Sequence, residues 1–253
     1  MSDAPMPLAN LFEEANRLQS ESREVGIDAR LLGGIGVVMH AHGVVPVGLR
    51  RDHHDLDFIV RRSDGPSWRA FLLAQGYEED MRFNTVHGHQ RLLHWDRHHG
   101  RQLDTFVERF EMCHSLDIER WWGGPPGGLP PADLLLTKLQ VVEVNDKDLL
   151  DTLNLLVFHP IASGDPDSIE PKRIADVVGQ DWGWYTTVSD NLTKLEQRLP
   201  SVALDEGEGR TVYERIAEIR RIADETPKSL KWRLRARVGR RVPWYVLPEE
   251  EEE

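Results

Sequence analysis

The chain has 253 residues and a mass of 29.0 kDa, room for one large domain or two small ones. Its 31 basic and 43 acidic residues give a net charge of −12, five units of which lie on the closing glutamates 249–253, so a whole-surface basic face for duplex nucleic acid is excluded. One cysteine, Cys113, excludes a disulfide framework and a Cys-rich zinc module, while 40% hydrophobic residues are enough for a core. No apolar run reaches the roughly 18 residues of a membrane span, and no basic-then-apolar signal opens the chain. The sequence therefore predicts a soluble, cytoplasmic protein.

Leu8, Leu11, Phe12, Ala15 and Leu18 recur at helical spacing and predict an amphipathic helix over 8–25. A short apolar strand over 29–32 runs into Gly33-Gly34, from which a helix over 35–42 starts directly. A loop around 46–54 leads to a buried strand over 56–60, then a helix over 67–75 stopped by Gly76. Strands over 90–95 and 102–107 flank the turn His98-His99-Gly100-Arg101, which reads as a hairpin. Glycines and prolines crowd 123–131, a composition that holds neither helix nor central strand and predicts a linker. Beyond it the pattern is helical, over 132–144, 147–158, 170–178, 182–198 and 209–224. No internal repeat is present.

The most informative stretch combines Gly33-Gly34 with Arg51, His53 and Asp55-Leu56-Asp57-Phe58-Ile59-Val60. On a strand, residues i and i+2 share a face, so Asp55 and Asp57 point together. Two adjacent carboxylates repel, and a cation between them relieves the repulsion. Oxygen-only ligands favour Mg²⁺, which takes its remaining ligands from water and substrate phosphates. A third carboxylate, Asp104, lies on the strand over 102–107. If that strand adjoins the first, Asp104 joins the pair and a two-metal phosphoryl-transfer site follows. A strand, a Gly-Gly turn and a helix N-terminus would offer backbone N–H groups to a triphosphate.

On these residues, 31–106 resembles the nucleotidyltransferase superfamily of polymerase-β type. The spelling Arg51-Asp52-His53-His54-Asp55-Leu56-Asp57-Phe58, followed by a helix ending in Gly76-Tyr77, is similar to the aminoglycoside and lincosamide adenylyltransferases. The later Pro131-Ala132-Asp133-Leu134-Leu135-Leu136-Thr137-Lys138-Leu139 and Lys147-Asp148-Leu149-Leu150-Asp151 resemble abortive-infection toxin-type nucleotidyltransferases. The resemblance implies an α+β fold with a mixed-sheet nucleotidyltransferase domain over 1–122. The linker over 123–131, a helical domain over 132–241 and an acidic tail over 242–253 would follow. It further implies that Asp55 and Asp57 bind magnesium, and that Asp104 completes the metal site or deprotonates an acceptor hydroxyl. Gly33 and Gly34 would cradle phosphates, Arg51 and His53 would contact the triphosphate or the acceptor, and Lys138 would touch phosphate. The activity implied is Mg²⁺-dependent transfer of a nucleoside monophosphate from an NTP, ATP foremost, to an acceptor hydroxyl, with release of pyrophosphate. A small-molecule acceptor is favoured. Ile35 stands where many family members carry serine after the glycines, so one hydroxyl contact to phosphate is absent. A nucleotide-binding or toxin–antitoxin protein that keeps the fold without turnover, and a transferase acting on tRNA or protein, are the alternatives.

Three further features compete for attention. Nine of the eleven histidines lie between His40 and His99, which raises a zinc site as a second hypothesis, although the pairs His40/His42 and His98/His99 lack suitable geometry. Lys147 and Asp151 stand at i,i+4, the spacing of a surface ion pair; a lysine or acid facing a cleft is the alternative. Residues 228–241, from Lys228 to Arg241, carry seven positive charges and no negative one, with Trp232 inside and Trp244 just beyond. That segment could contact RNA or an anionic surface, or fold back on acidic residues.

Overall fold

The computed structural model describes residues 5–41, 44–124 and 127–247. The fold is α+β. It comprises two compact units whose boundaries are not contiguous in sequence: Met1–Met39, Asp52–Glu111 and Leu116–Leu129 form the first, and His40–Arg51, Met112–Ser115 and Pro130–Glu253 the second.

The first unit opens with helix α1 (Leu11–Glu24). It begins three residues later than its apolar spacing suggests, because the Asn10 side chain accepts the N–H groups of Phe12 and Glu13 and fixes the cap there. Strand β1 (Arg30–Leu32) passes into α2 (Gly33–His40), and β2 (Asp55–Val60) into α3 (Gly65–Ala74). The expected end of α2 at His42 lies outside the described residues. Strand β3 (Glu78–Glu79), helix α4 (Met81–His87), β4 (Arg91–Asp96) and β5 (Arg101–Val107) follow. A small hairpin of β6 (Arg109–Glu111) and β7 (Ser115–Asp117) comes last.

The main sheet has the order β1-β2-β5-β4-β3, parallel between β2 and β5 and antiparallel elsewhere. Pleating sorts its residues cleanly. Leu56, Phe58 and Val60 share one face with Leu103 and Val107, where Trp68 and Leu72 of α3 and Ala15 and Leu18 of α1 cover them. Trp68 satisfies its buried indole N–H on the Thr105 hydroxyl at 2.9 Å. The opposite face keeps the acidic residues. Of the predicted linker, Pro125 and Pro126 lie outside the described residues. The remainder is fastened to this unit: Gly123 donates to Asp28 at 2.7 Å, Gly128 bridges Leu31, and Leu129 is fully buried.

The second unit is helical: α5 (Pro131–Leu139), α6 (Asp146–Phe158), α7 (Pro171–Gln180), α8 (Trp182–Arg198), α9 (Glu206–Glu225) and α10 (Leu230–Val238). Helix α5 stops at Leu139, short of the predicted 144. Asn191 of α8 donates to the carbonyls of Leu139 and Val141, and Lys194 to that of Val142, replacing the bonds another helical turn would make. The basic segment, undecided between strand and helix in the sequence, is helical over α10, capped by Ser229.

Two buried histidines couple stability to pH. His94 of β4 is fully buried, with neither ring nitrogen hydrogen-bonded among the described residues, and burial pushes its pKa down to about 4. In the helical unit burial likewise lowers His114 to about 4, with its Nε2 against the Thr187 hydroxyl at 2.8 Å. Unfolded histidine takes up a proton below about pH 6.5, whereas these folded ones do so only near 4. Folding stability should therefore fall as pH drops from 6.5 to 4, by on the order of 3 kcal/mol per histidine. Urea unfolding at pH 7 and 4.5 measures it. His94→Leu should reduce the loss, and an undiminished loss would show that other groups govern it.

Candidate functional site

The acidic face of the sheet is organised by strand register. Asp57 and Asp104 are direct partners across the parallel β2–β5 pair, and Asp55 lies two residues before Asp57 on the same face. Asp55 is exposed, Asp57 half-buried and Asp104 buried, so the three grade from solvent into the sheet. The two strands adjoin, the condition under which the sequence reading joins Asp104 to the pair.

Glycine 33 is required here by geometry. Its φ is +65°, and a Cβ at this position would stand 1.8 Å from Asp57 Oδ2. The turn between β1 and α2 is thus pressed against the carboxylate of β2, which β1 pairs through Leu32 and Asp57. Gly33 and Gly34 are both buried in the first turn of α2. Gly33→Ala should therefore disturb Asp57 as well as the turn. The expected cost is on the order of 1–3 kcal/mol of stability, together with loss of any function that uses Asp57. Parallel thermal melts and ligand-binding assays check it, and a variant matching the parent in both would contradict the tight fit.

Asp104 has a partner that the sequence reading missed. Arg91 of β4 lies on the same face, two residues from Leu93, which pairs with Asp104. Its Nε donates to both carboxylate oxygens at 2.9 and 2.8 Å, and Nη2 also bonds Oδ2. The rings of Phe83 and Phe106, 5.7 and 5.5 Å from the guanidinium carbon, hold Arg91 in place. The 98–101 turn, read for strand register, carried the signal that Arg91 would lie diagonal to Asp104. Among the described residues no group of three or more His, Cys, Asp or Glu side chains is placed to hold a metal ion. The expected three-carboxylate cluster is thus aligned in register, but its third member is ion-paired. Among the described residues the clustered histidines build no such group either. The donor set still fits magnesium in one way, since that ion commonly takes one or two carboxylates, here Asp55 and Asp57, plus phosphate and water.

His53, just before β2, lies with its ring edge-on to Phe12 at 6.4 Å. The remaining expected residues, Arg51 and Lys138, belong to the helical unit, where they meet each other's acids. Arg51 forms a two-point pair with Asp151, Nε to Oδ1 and Nη2 to Oδ2, both at 2.8 Å. Lys138 Nζ bonds Asp148 and Asp151, each at 2.9 Å. Burial opposes ionisation of Asp151 and Lys138, yet the opposite charges outweigh it: the Asp151 pKa is held below its usual value and that of Lys138 above. Two cations and two anions make a neutral, half-buried network. Of the two readings of Lys147 and Asp151, the i,i+4 surface pair gives way to this network among the described residues, because Asp151 turns inward to Arg51 and Lys138.

No protein-family model matches the chain, and no curated protein matches it. The geometry of its own residues therefore has to carry the functional reading.

Proposed function

We propose that the protein is a Mg²⁺-dependent nucleotidyltransferase that moves a nucleoside monophosphate from an NTP to an acceptor hydroxyl. What carries the proposal is the pairing of Asp57 with Asp104 across adjoining parallel strands, with Asp55 on the same face and Gly33 against Asp57. Asp55 and Asp57 would hold magnesium, which when bound neutralises phosphate charge. In the reaction an acceptor oxygen forms a bond to the α-phosphorus, the bond to the bridging oxygen breaks, and pyrophosphate leaves. The acceptor proton passes to a base. Asp104, oriented by the Arg91 guanidinium, would take that proton or complete the metal site. His53 and the backbone N–H groups of Gly33 and Gly34 would position substrate. We assign no phosphate to Arg51 or Lys138, because Asp148 and Asp151 match both charges.

The same Arg91–Asp104 pair, together with Ile35 after the glycines, favours a second reading, in which the fold binds an NTP without turning it over. Pyrophosphate release, measured with each of the four NTPs with and without Mg²⁺ in the presence of candidate small-molecule acceptors, separates the two. Magnesium-dependent release is the expected result; saturable NTP binding without release would establish the second reading.

A further inference from the structure

A cavity of about 610 Å³ in the helical unit lies between the start of α8, helix α10 and the segment that follows it. That volume suits a small organic ligand. Its walls are aromatic: Trp182 at the start of α8, Trp232 on α10, and Trp244 with Tyr245 beyond it. Trp182 and Trp244 meet edge to face at 6.1 Å, and Trp244 and Tyr245 at 5.1 Å.

The charges around this cavity are unevenly matched. Lys231 at the rim stands 4.0 Å from Asp181, and Arg240, which covers the Trp244 ring, pairs with Asp190 at 2.7 Å. Arg235 is different. It is half-buried, lines the cavity and lies over the Trp182 ring at 4.8 Å, and among the described residues its hydrogen bonds run only to the carbonyls of Gly239, Val242 and Pro243. The guanidinium thus meets carbonyl oxygens and a ring face but no carboxylate among the described residues, and an anion in the cavity would supply a charged partner. A guanidinium with no carboxylate among the described residues, beside four aromatic rings, defines complementary chemistry.

We infer that this cavity is a binding site for a small aromatic anion, its ring held between the tryptophans and its carboxylate or phosphate on Arg235. This site is independent of the transferase reading and lies wholly within the helical unit. The carboxylate Asp181 on its wall stands 4.0 Å from Lys231, which offsets its repulsion of an anion and leaves Arg235 as the anchor.

Calorimetric titration of the full chain with 1-naphthoate, 1-naphthyl phosphate and neutral 1-naphthalenemethanol tests it. The expected result is one-to-one binding of at least one of the two anions, at least tenfold tighter than the alcohol. Whichever anion binds more tightly identifies the head group. Arg235→Met should bring the anions to the level of the alcohol, while Arg235→Lys retains part of the preference. Because Arg235 also ties down 239–243, Val238→Trp serves as the second variant: it leaves the arginine in place, fills the cavity from its rim and should abolish binding of all three probes. Equal affinity for anion and alcohol, absence of binding by both anions, or anion binding untouched by both variants would overturn the inference.

Discussion

Asp57→Asn should abolish nucleotidyl transfer while the protein stays folded, with a loss of about 10³-fold or more in turnover. The substitution keeps size and most hydrogen bonding and removes one negative charge from the face that Asp55 and Asp104 share. Removing a charge from a row of acidic groups relieves repulsion, so stability should hold or rise slightly. A purely structural aspartate would show the reverse, lost stability with turnover intact. Turnover measured beside a urea midpoint separates these outcomes, and activity within tenfold of the parent would remove Asp57 from the site.

The largest effect on stability is expected at Asp151. Arg51 and Lys138 both point their charges at this one carboxylate, which is only 4% exposed. Asp151→Ala takes from two half-buried cations the carboxylate they share, and breaking a buried pair this way costs about 3–5 kcal/mol. At roughly 2–4 °C per kcal/mol for a chain of this size, the transition of the helical unit should drop by about 10 °C. Coupling Asp151→Ala with Arg51→Met should recover a substantial part of the loss, because one of the two cations facing the missing carboxylate is gone. If the single variant melts within about 2 °C of the parent, the network is not the buried ion cluster described here.

These outcomes rest on features that the sequence disclosed unevenly. The DxD strand, its glycine turn and the third acid were legible because strand alternation and turn chemistry are local rules; they placed Asp55 and Asp57 on one face, while Asp104 joins it only through the long-range pairing of β2 with β5. Helix α8 was legible to the residue, since Asp181 caps it by accepting the N–H groups of Gly183 and Trp184. Helix α9 starts three residues before its apolar pattern, because the Asp205–Glu208 capping box outweighs the helix-weakening Gly207 and Gly209. Helix α4 was missed: Met81–His87 has no apolar stripe and is held by Asp80 at its cap and by Asn84, which bonds Glu79 and Leu93.

What the sequence could not show was who partners whom over long separations. Arg51 and Asp151 are 100 residues apart, and no local spacing announces that they pair. Two cations that looked available to phosphates are consequently matched by acids. The cavity beside α10 has the same origin. The basic run was visible as a charge pattern, but only packing shows that Arg240 and Lys231 have acids within ion-pair distance whereas Arg235, among the described residues, has none.

The central claim is transfer of the α-phosphoryl group, and the position of a label in the NTP tests it most directly. With Mg²⁺ and a panel of hydroxyl acceptors, label in the α-phosphate should move covalently to an acceptor, while label in the γ-phosphate should leave in pyrophosphate. Transfer of the γ-label to an acceptor would instead reveal a kinase, and retention of both labels in unreacted NTP would contradict the transferase account altogether.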